Sequence, residues 1–258
     1  TAARAYWGPS AAASDHLLGF WPGPIYDEAL AVDERLLLFR LGTLAWAAAL
    51  LGAAGLVARR RGGGRLLGPG AGSLATLPIA VLVALAARAA GGIEPGREAV
   101  SAALGGLRTG SRCALHHPRE WSPAQAERAL RDCEAAAAEV SRLLAIERPP
   151  VATVFVHRSP AEKRRLVGAG RTSFTKPWLA EIHVNDEPSP RPVLRHELVH
   201  ALASAFATGP FKVPARAGLL VRAGLVEGLA DALELPAGDY TSAEWARAMR
   251  DLELLPPV

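Results

Sequence analysis

The sequence predicts an α+β domain over residues 93–258, preceded by a two-helix transmembrane hairpin over residues 36–92. Three observations lead to this prediction. Two apolar stretches, residues 36–58 and 74–90, are separated by a turn rich in arginine. Beyond residue 92 the composition becomes mixed, and patterns typical of helices and of strands alternate along the chain. In that part, histidines and carboxylates recur at the spacing of one helix face, which indicates a metal site.

Length and composition limit the kinds of protein this chain can be. It has 258 residues, half of them hydrophobic, which is enough for one sizeable domain and additional segments. The formal net charge is +4, and arginine greatly outnumbers lysine. Apart from the turn, the arginines are scattered and form no basic stripe interleaved with aromatic residues. We therefore expect no nucleic-acid partner.

The first apolar stretch is the stronger of the two predicted membrane spans. Residues 36–58 carry a single charge, Arg40, and a helix of this length crosses a bilayer core, which needs roughly 20 apolar residues. The second stretch contains Pro78 and Arg88, so a buried core helix is the alternative there. The turn between them, residues 59–65, is rich in arginine, and the positive-inside rule places such a turn in the cytoplasm.

This hairpin determines where the rest of the chain is expected. With the arginine turn in the cytoplasm, residues 1–35 and 93–258 both lie outside, and we predict a multi-pass membrane protein in contact with lipid. Cys113 and Cys133 are the only cysteines, and an even number outside the cytoplasm favours a disulfide between them. Two unpaired thiols acting as small hydrophobic side chains are the alternative. Neither cysteine belongs to a C-x-x-C motif, which argues against a zinc–thiolate site.

The first helices and strand of the domain are predicted from local sequence patterns. Residues 122–125 form a capping box with proline in the first turn, which predicts a helix to about residue 145. Residues 151–157 are a β-branched run and predict a strand. A short basic helix is expected from Pro160, with its charged run, residues 162–165, in solvent. Residues 168–176 are expected to form a loop.

Residues 178–185 alternate strictly between two faces, which predicts a strand. Glu181, His183 and Asn185 share one face, and apolar side chains share the other. His183 is therefore expected to face solvent rather than to join a site. An extended peptide could add to an exposed edge of this strand through main-chain hydrogen bonds.

The strongest motif is H-E-x-x-H, on a helix predicted from about residue 193 to residue 207. His196 and His200 are four residues apart, so they share one helix face and can bind one metal ion. Imidazole nitrogens at this spacing suit Zn²⁺, and Glu197 between them remains available as a base. The alternative is an ordinary buried helix that carries two histidines.

A second helix, predicted over residues 223–235, supplies the remaining ligand. Glu227 and Asp231 are also four residues apart and share a face of this helix. A catalytic zinc takes three protein ligands and keeps one position for water, and either carboxylate can complete the set.

Together, H-E-x-x-H and the following E-x-x-x-D resemble the motifs of the gluzincin, or thermolysin-like, zinc metallopeptidases. The resemblance covers these two motifs and their order. It implies a zincin-like metallopeptidase fold, a Zn²⁺ cofactor, and hydrolysis of a peptide or protein substrate as an endopeptidase or an aminopeptidase. By this resemblance His196, His200 and Glu227 are the zinc ligands. Glu197 is the general base for a metal-activated water, and Asp231 holds His196 by its other ring nitrogen.

The resemblance assigns two further roles. Gluzincins line their cleft with an edge strand that precedes the metal helix, and residues 178–185 stand at that point of the chain. They also supply an oxyanion stabiliser, a tyrosine or a histidine, from beyond the third ligand. Tyr240 is the only tyrosine after Glu227, and no histidine follows it, so Tyr240 is the expected residue. Thr241 or Ser242 is expected to cap a last helix.

Two other functions are compatible with a zinc-binding helix of this kind. One is a non-hydrolytic zincin-like domain that a membrane transport or secretion component retains for binding, and the presence of Glu197 argues against it. The other is an intramembrane protease of site-2 type, in which H-E-x-x-H lies within the bilayer. The proline-rich polar sequence before the metal helix, residues 188–192, argues against that.

Overall fold

The computed structural model describes residues 6–11, 13–15, 19–21, 34–60, 78–83, 85–86, 96–216, 220–234 and 239–254. The chain divides into two compact units, residues 1–95 and residues 96–258. Each unit is described by itself.

The described residues of the first unit include a small antiparallel strand pair and one long helix. The strands are β1 (Ala13–Asp15) and β2 (Gly19–Trp21), and the helix is α1 (Glu34–Arg60). Among the described residues, Leu37–Ala54 within α1 is the one helical segment long and apolar enough to cross a membrane. Leu37, Leu44 and Leu50 are 63%, 68% and 65% exposed, so much of the apolar surface of α1 is not covered by this unit.

The second helix of the expected hairpin is not shown. Within the second apolar stretch, residues 78–83 and 85–86 are helical, while its other residues lie outside the described part of the chain. The arginine turn after Arg60 also lies outside it. The described residues therefore contain one potential span rather than two, and they do not support a multi-pass arrangement.

The second unit is built on a five-stranded mixed sheet. Its strands are β3 (Gly105–Thr109), β4 (Cys113–Pro118), β5 (Ala152–His157), β6 (Phe174–Lys176) and β7 (Glu181–Asn185). The strand order is β3-β4-β5-β7-β6. β4, β5 and β7 are parallel, while β3 and β6 lie antiparallel at the two edges. The unit therefore has the mixed α and β composition that the sequence predicts.

Helices precede, separate and follow these strands. They are α2 (Arg97–Leu104), α3 (Pro123–Leu143), α4 (Pro160–Val167), α5 (Pro192–Ala203), α6 (Ala223–Leu233) and α7 (Ser242–Asp251). Short 3₁₀ turns occupy Pro177–Leu179 and Ser204–Phe206, and a strand pair, β8 (Ala215–Arg216) and β9 (Leu220–Val221), precedes α6. Capping boxes start both α3 and α7, as expected from the residues at their N-termini.

The sheet is covered on both faces. Val154 of β5 belongs to the main core, together with Leu198 of α5 and side chains of α3. Phe155, the next residue along the strand, points to the other face and packs with Val100 of α2 and Leu166 of α4. The helix α5, which carries H-E-x-x-H, therefore lies on one side of the sheet, and α2 and α4 lie on the other.

A disulfide joins Cys113 to Cys133. Cys113 is the first residue of β4, and Cys133 lies in the middle of α3, with their Cα atoms 6.3 Å apart. Both residues are fully buried in the main core. The bond therefore attaches α3 to the sheet on the side that carries α5.

The strand before α5 is not at the edge of the sheet, contrary to the expectation from the sequence. β7 lies between β5 and β6. The edge strand next to β7 is β6. It falls within residues 168–176, which the sequence predicts as a loop. Three residues are too few to show a period of two, so no sequence pattern marks this strand.

The prediction that His183 faces solvent is also wrong. His183 and Glu181 are 0% and 1% exposed, because this face of β7 is covered and Arg97 of α2 forms an ion pair with Glu181. Periodicity shows correctly which residues share a face, but it does not show what covers that face.

The basic run of α4 is not entirely solvated either. Lys163 is 0% exposed, and its Nζ donates a hydrogen bond of 2.7 Å to the carbonyl oxygen of Thr172. A buried ammonium group requires such acceptors, since its desolvation is otherwise costly.

Candidate metal centre

The helix that carries H-E-x-x-H is fixed by its apolar face. Leu194, Leu198 and Leu202 recur at a four-residue spacing, and none is more than 1% exposed. At the start of the helix, the backbone N–H of Leu194 donates to the carboxylate of Glu187 at 3.1 Å, which satisfies one of the donors that a helix N-terminus leaves unpaired. The two histidines of the motif lie off this buried face and are only partly exposed.

Arg195 and Ala230 hold α6 beside α5. Nε of Arg195 donates to the carbonyl oxygen of Leu233 at 2.7 Å, and its Nη1 donates to the carboxylate of Glu139 on α3 at 2.6 Å. Ala230 of α6 is 0% exposed and belongs to the main core. These contacts bring Glu227, one turn earlier on α6, opposite the two histidines of α5.

Three atoms that could bind a metal ion converge between the two helices. Oε2 of Glu227 lies 3.4 Å from Nε2 of His196 and 3.4 Å from Nε2 of His200. All three ligating groups lie within 4.8 Å of one another. A tetrahedral zinc with bonds of about 2.0–2.1 Å holds its donor atoms about 3.3–3.4 Å apart, so both of these 3.4 Å separations suit a tetrahedral zinc.

The chemistry of these donors also fits zinc. Burial lowers the pKa of His200, so its ring is neutral near pH 7 and keeps a lone pair for a metal. Two imidazoles and one carboxylate are a common ligand set of catalytic zinc sites, which keep a fourth position for water. The side chain of Glu227 is 43% exposed, so solvent has access to the centre.

The second ring nitrogen of His196 faces two carboxylates. Nδ1 of His196 lies 3.6 Å from Oδ1 of Asp231 and 3.8 Å from Oε2 of Glu234. The sequence predicts Asp231 in this place, while Glu234 is an additional residue. A metal-binding imidazole commonly gives its other N–H to a carboxylate, which fixes the tautomer and the orientation of the ring. Here either carboxylate is within reach of that role.

Glu197 lies beside the ligands but has a different set of contacts. It is 6% exposed, and its Oε2 accepts a hydrogen bond of 2.7 Å from Oγ1 of Thr175 on β6. Burial raises the pKa of Glu197 to about 7, although the hydrogen bond from Thr175 and the proximity of His196 lower it. A carboxylate with such a pKa can accept a proton near neutral pH, as a general base must.

Tyr240 has no described contact with the three ligands. Its ring meets that of Trp245 edge to face with centroids 5.9 Å apart, and the residue is 59% exposed. Its role as an oxyanion stabiliser stays a prediction.

Sequence reasoning missed three residues that shape this centre: Thr175, Arg195 and Glu234. Thr175 lies in the segment predicted as a loop. Arg195 immediately precedes the motif, and no pattern distinguishes it from the other arginines of the chain. Glu234 follows directly after α6. It could have been found from the sequence, because it lies three residues after Asp231 in the helix predicted over residues 223–235 and so would share a side with it.

A separate buried polar chain lies on the opposite face of the sheet. Arg97 binds the carboxylate of Glu181, whose Oε1 lies 3.0 Å from Nε2 of His183. Nδ1 of His183 lies 3.2 Å from Nε2 of His157. Because an ionised carboxylate only accepts, Nε2 of His183 carries a proton, and His157 then donates to Nδ1 of His183. Nδ1 of His157 is buried and has no hydrogen-bond partner among the described residues.

Comparisons with known proteins identify no relative of this chain. No family model, curated protein or solved structure matches it. Its function is therefore inferred from the geometry and chemistry of the site alone.

Proposed function

We propose that this protein is a membrane-anchored, zinc-dependent metallopeptidase of gluzincin type, acting as an endopeptidase or an aminopeptidase. The main support is the convergence of His196, His200 and Glu227, whose donor atoms have separations of 3.4 Å that suit a tetrahedral zinc. The order of the two motifs along the chain agrees with the resemblance to gluzincins. Glu197 has the position and the burial expected of the base.

In this proposal each residue of the centre has one task. His196, His200 and Glu227 hold the metal, and Asp231 orients the ring of His196. A zinc ion held by these residues would supply a water molecule with a pKa far below that of bulk water, and it would polarise the scissile carbonyl. Glu197 takes the proton of the attacking water and later gives it to the leaving amine.

The edge strand β6 offers a place for the substrate. Thr175 projects from this strand towards Glu197, so β6 runs past the base. Among the described residues, no strand pairs with the other long side of β6. An extended peptide can add to such an edge through main-chain hydrogen bonds, which depend little on side chains. This arrangement favours a peptide or protein substrate.

Two features support attachment to a membrane with the domain outside the cytoplasm. The arginines that follow α1 favour the cytoplasmic side, whereas the disulfide between Cys113 and Cys133 favours an oxidising compartment. Both preferences are met if the chain crosses the membrane a second time before Gly96, within the second apolar stretch. We therefore propose a multi-pass protein whose catalytic domain is extracytoplasmic.

The second proposed function is binding without hydrolysis. In it, a membrane transport or secretion component retains the zincin-like domain only to bind. Such a domain needs the three ligands but no base. The burial of Glu197 and its bond to Thr175 favour hydrolysis instead, because a carboxylate fixed beside the ligands has no task in holding the metal. An intramembrane protease is disfavoured because Leu37–Ala54, the potential span among the described residues, lies outside the unit that carries the motif.

The test is metal analysis and peptide cleavage on the full chain in detergent. The wild type is expected to hold one zinc per chain and to cleave members of a quenched fluorescent peptide library. His196→Ala should lose the zinc. Glu197→Gln should keep the zinc and lose nearly all hydrolysis, because an amide of the same size has no basic lone pair for the proton. Glu147→Gln, at an exposed position, is the matched control.

Two outcomes would contradict the proposal. Full zinc occupancy in His196→Ala would remove the metal site. Zinc binding by the wild type with no cleavage of any peptide would favour the binding function over the peptidase.

A further inference from the structure

Thr175 connects the edge strand β6 to the proposed base on α5. Its Oγ1 lies 2.7 Å from Oε2 of Glu197 and 3.1 Å from the backbone carbonyl oxygen of the same residue. In the sheet, Thr175 is paired with Ile182, which belongs to the main core, so its side chain projects to the face that carries α5. The contact therefore follows from the register of β6 as well as from the hydroxyl group.

We propose that Thr175 is a positioning residue that fixes the carboxylate of Glu197 for proton transfer, an inference that rests on the proposed hydrolytic function. A hydroxyl has one hydrogen to donate, and the charged carboxylate at the shorter distance is the stronger acceptor. The terminal torsion of a glutamate is intrinsically broad, and this bond restricts it. With Oε2 occupied, Oε1 is the oxygen that receives the proton of the attacking water.

The same contact relates the base to the substrate. In the proposed function, the backbone of β6 pairs with the extended peptide while the side chain of Thr175 holds Glu197. One three-residue strand thus positions both reaction partners. Errors of about 1 Å between reacting groups can reduce a rate by about 100-fold. Holding both the base and the peptide on one strand therefore favours turnover.

The first experiment compares two substitutions at Thr175 in the full zinc-loaded chain. Thr175→Val removes the hydroxyl but keeps the size and the β-branching, whereas Thr175→Ser keeps the hydroxyl. We expect Thr175→Val to bind zinc as the wild type does, with kcat for a cleaved library peptide about 10- to 100-fold lower and KM little changed. Thr175→Ser should stay near the wild type. Thr153→Val, on β5 and facing the opposite side of the sheet, is the matched control.

The second experiment does not need a cleavable peptide. Acetohydroxamic acid gives up a proton when it binds zinc, and a fixed Glu197 is placed to receive that proton. The Kd of this probe should rise about tenfold in both Thr175→Val and Glu197→Gln. Thr175→Val loses one hydrogen bond to a charged group, and Glu197→Gln loses the carboxylate that accepts the proton. Thr175→Ser and Thr153→Val should leave the Kd unchanged.

The outcomes separate this inference from the proposed function. If Thr175→Val and Thr175→Ser behave alike in the hydroxamate assay, the positioning role is overturned, whether or not peptides are cleaved. If the predicted hydroxamate pattern appears while the wild type cleaves no peptide, Thr175 retains its role and the peptidase function fails. If the wild type binds no zinc, both fail.

Discussion

Arg195 donates a hydrogen bond of 2.7 Å from Nε to the carbonyl oxygen of Leu233. Arg195 immediately precedes the first proposed zinc ligand, and Leu233 is the last residue of the helix that carries the third. The bond therefore ties together the two helices whose separation sets the distances among the donor atoms. Burial makes the contact persistent, since the side chain of Arg195 is 8% exposed.

We predict that Arg195→Met weakens zinc binding although no ligand is altered. Methionine has a similar reach but cannot donate, so the carbonyl of Leu233 loses its partner and α6 is held less firmly. Residues that support ligands from outside typically change metal affinity by about 10–100-fold, and we expect a rise in Kd of that order in a chelator-competition titration. Arg131→Met, at a position 67% exposed on α3, is the control. An equal Kd in both variants would show that packing alone holds α6.

We predict that Asp231 and Glu234 substitute for each other in holding His196. Their oxygens lie 3.6 Å and 3.8 Å from the same ring nitrogen, so Asp231→Asn leaves a second carboxylate in reach. Each single variant should therefore raise the zinc Kd less than the double variant Asp231→Asn, Glu234→Gln, for which we expect an increase of about 10–100-fold. The measurement is again chelator competition on the full chain.

The ligand assignment can fail in the same experiment. Glu227→Gln should lose most of its zinc affinity, because an amide oxygen is a much weaker ligand than a carboxylate. If Asp231→Asn removes zinc completely while Glu227→Gln retains it, Asp231 is the third ligand and the gluzincin assignment is wrong in its central detail.

The ligands could be predicted from the sequence because they depend on helix spacing alone. His196 and His200 share a face on any helix, and so do Glu227 and Asp231, whatever the rest of the fold. The meeting of the two helices depends on Arg195 and on packing against the sheet, and neither has a local signature. Thr175 belongs to a strand of three residues, which is too short for a sequence pattern to reveal its period of two.

Other features of the sheet are only partly indicated by the sequence. Gly106 lies in β3, where a Cβ atom would come within 2.3 Å of the ring of His117 on the neighbouring strand. A glycine inside a strand often marks such a close approach, but a sequence alone does not show which side chain approaches. The alternation around His183 was detected, but its burial was missed, since a local pattern does not show that α2 and α4 cover this face.

We predict that the free energy of unfolding falls as the pH decreases below about 6.5. Burial lowers the pKa of His157 to about 2, reinforced by His183, Lys163 and Arg158, and burial also lowers the pKa of His183 despite its bond to Glu181. In the unfolded chain a histidine has a pKa of about 6.5. Between these values the unfolded chain binds protons that the folded chain does not, so the stabilisation present above pH 6.5 is lost progressively towards the folded pKa.

The size of this effect can be measured by urea denaturation followed by tryptophan fluorescence. Between pH 7.5 and pH 5, one such histidine lowers the free energy of unfolding by about 2 kcal/mol. His157→Gln should be less stable than the wild type at pH 7.5, since it disturbs a buried contact, but its stability should change by about 2 kcal/mol less over this pH range. Identical pH dependence in the two proteins would contradict the assignment of His157 as a buried neutral group.

We predict that residues 59–65 face the cytoplasm and that Gly96 faces the opposite side of the membrane. Cysteines introduced as Arg61→Cys and Gly96→Cys report on the two positions, because Cys113 and Cys133 are paired in the disulfide and do not react. A membrane-impermeant maleimide added to intact cells should label Gly96→Cys and not Arg61→Cys, and permeabilised cells should label both. Labelling at neither position would place both in the cytoplasm after a single crossing and would contradict the proposed extracytoplasmic location of the catalytic domain. Labelling at Arg61→Cys alone would reverse the orientation that the arginines predict.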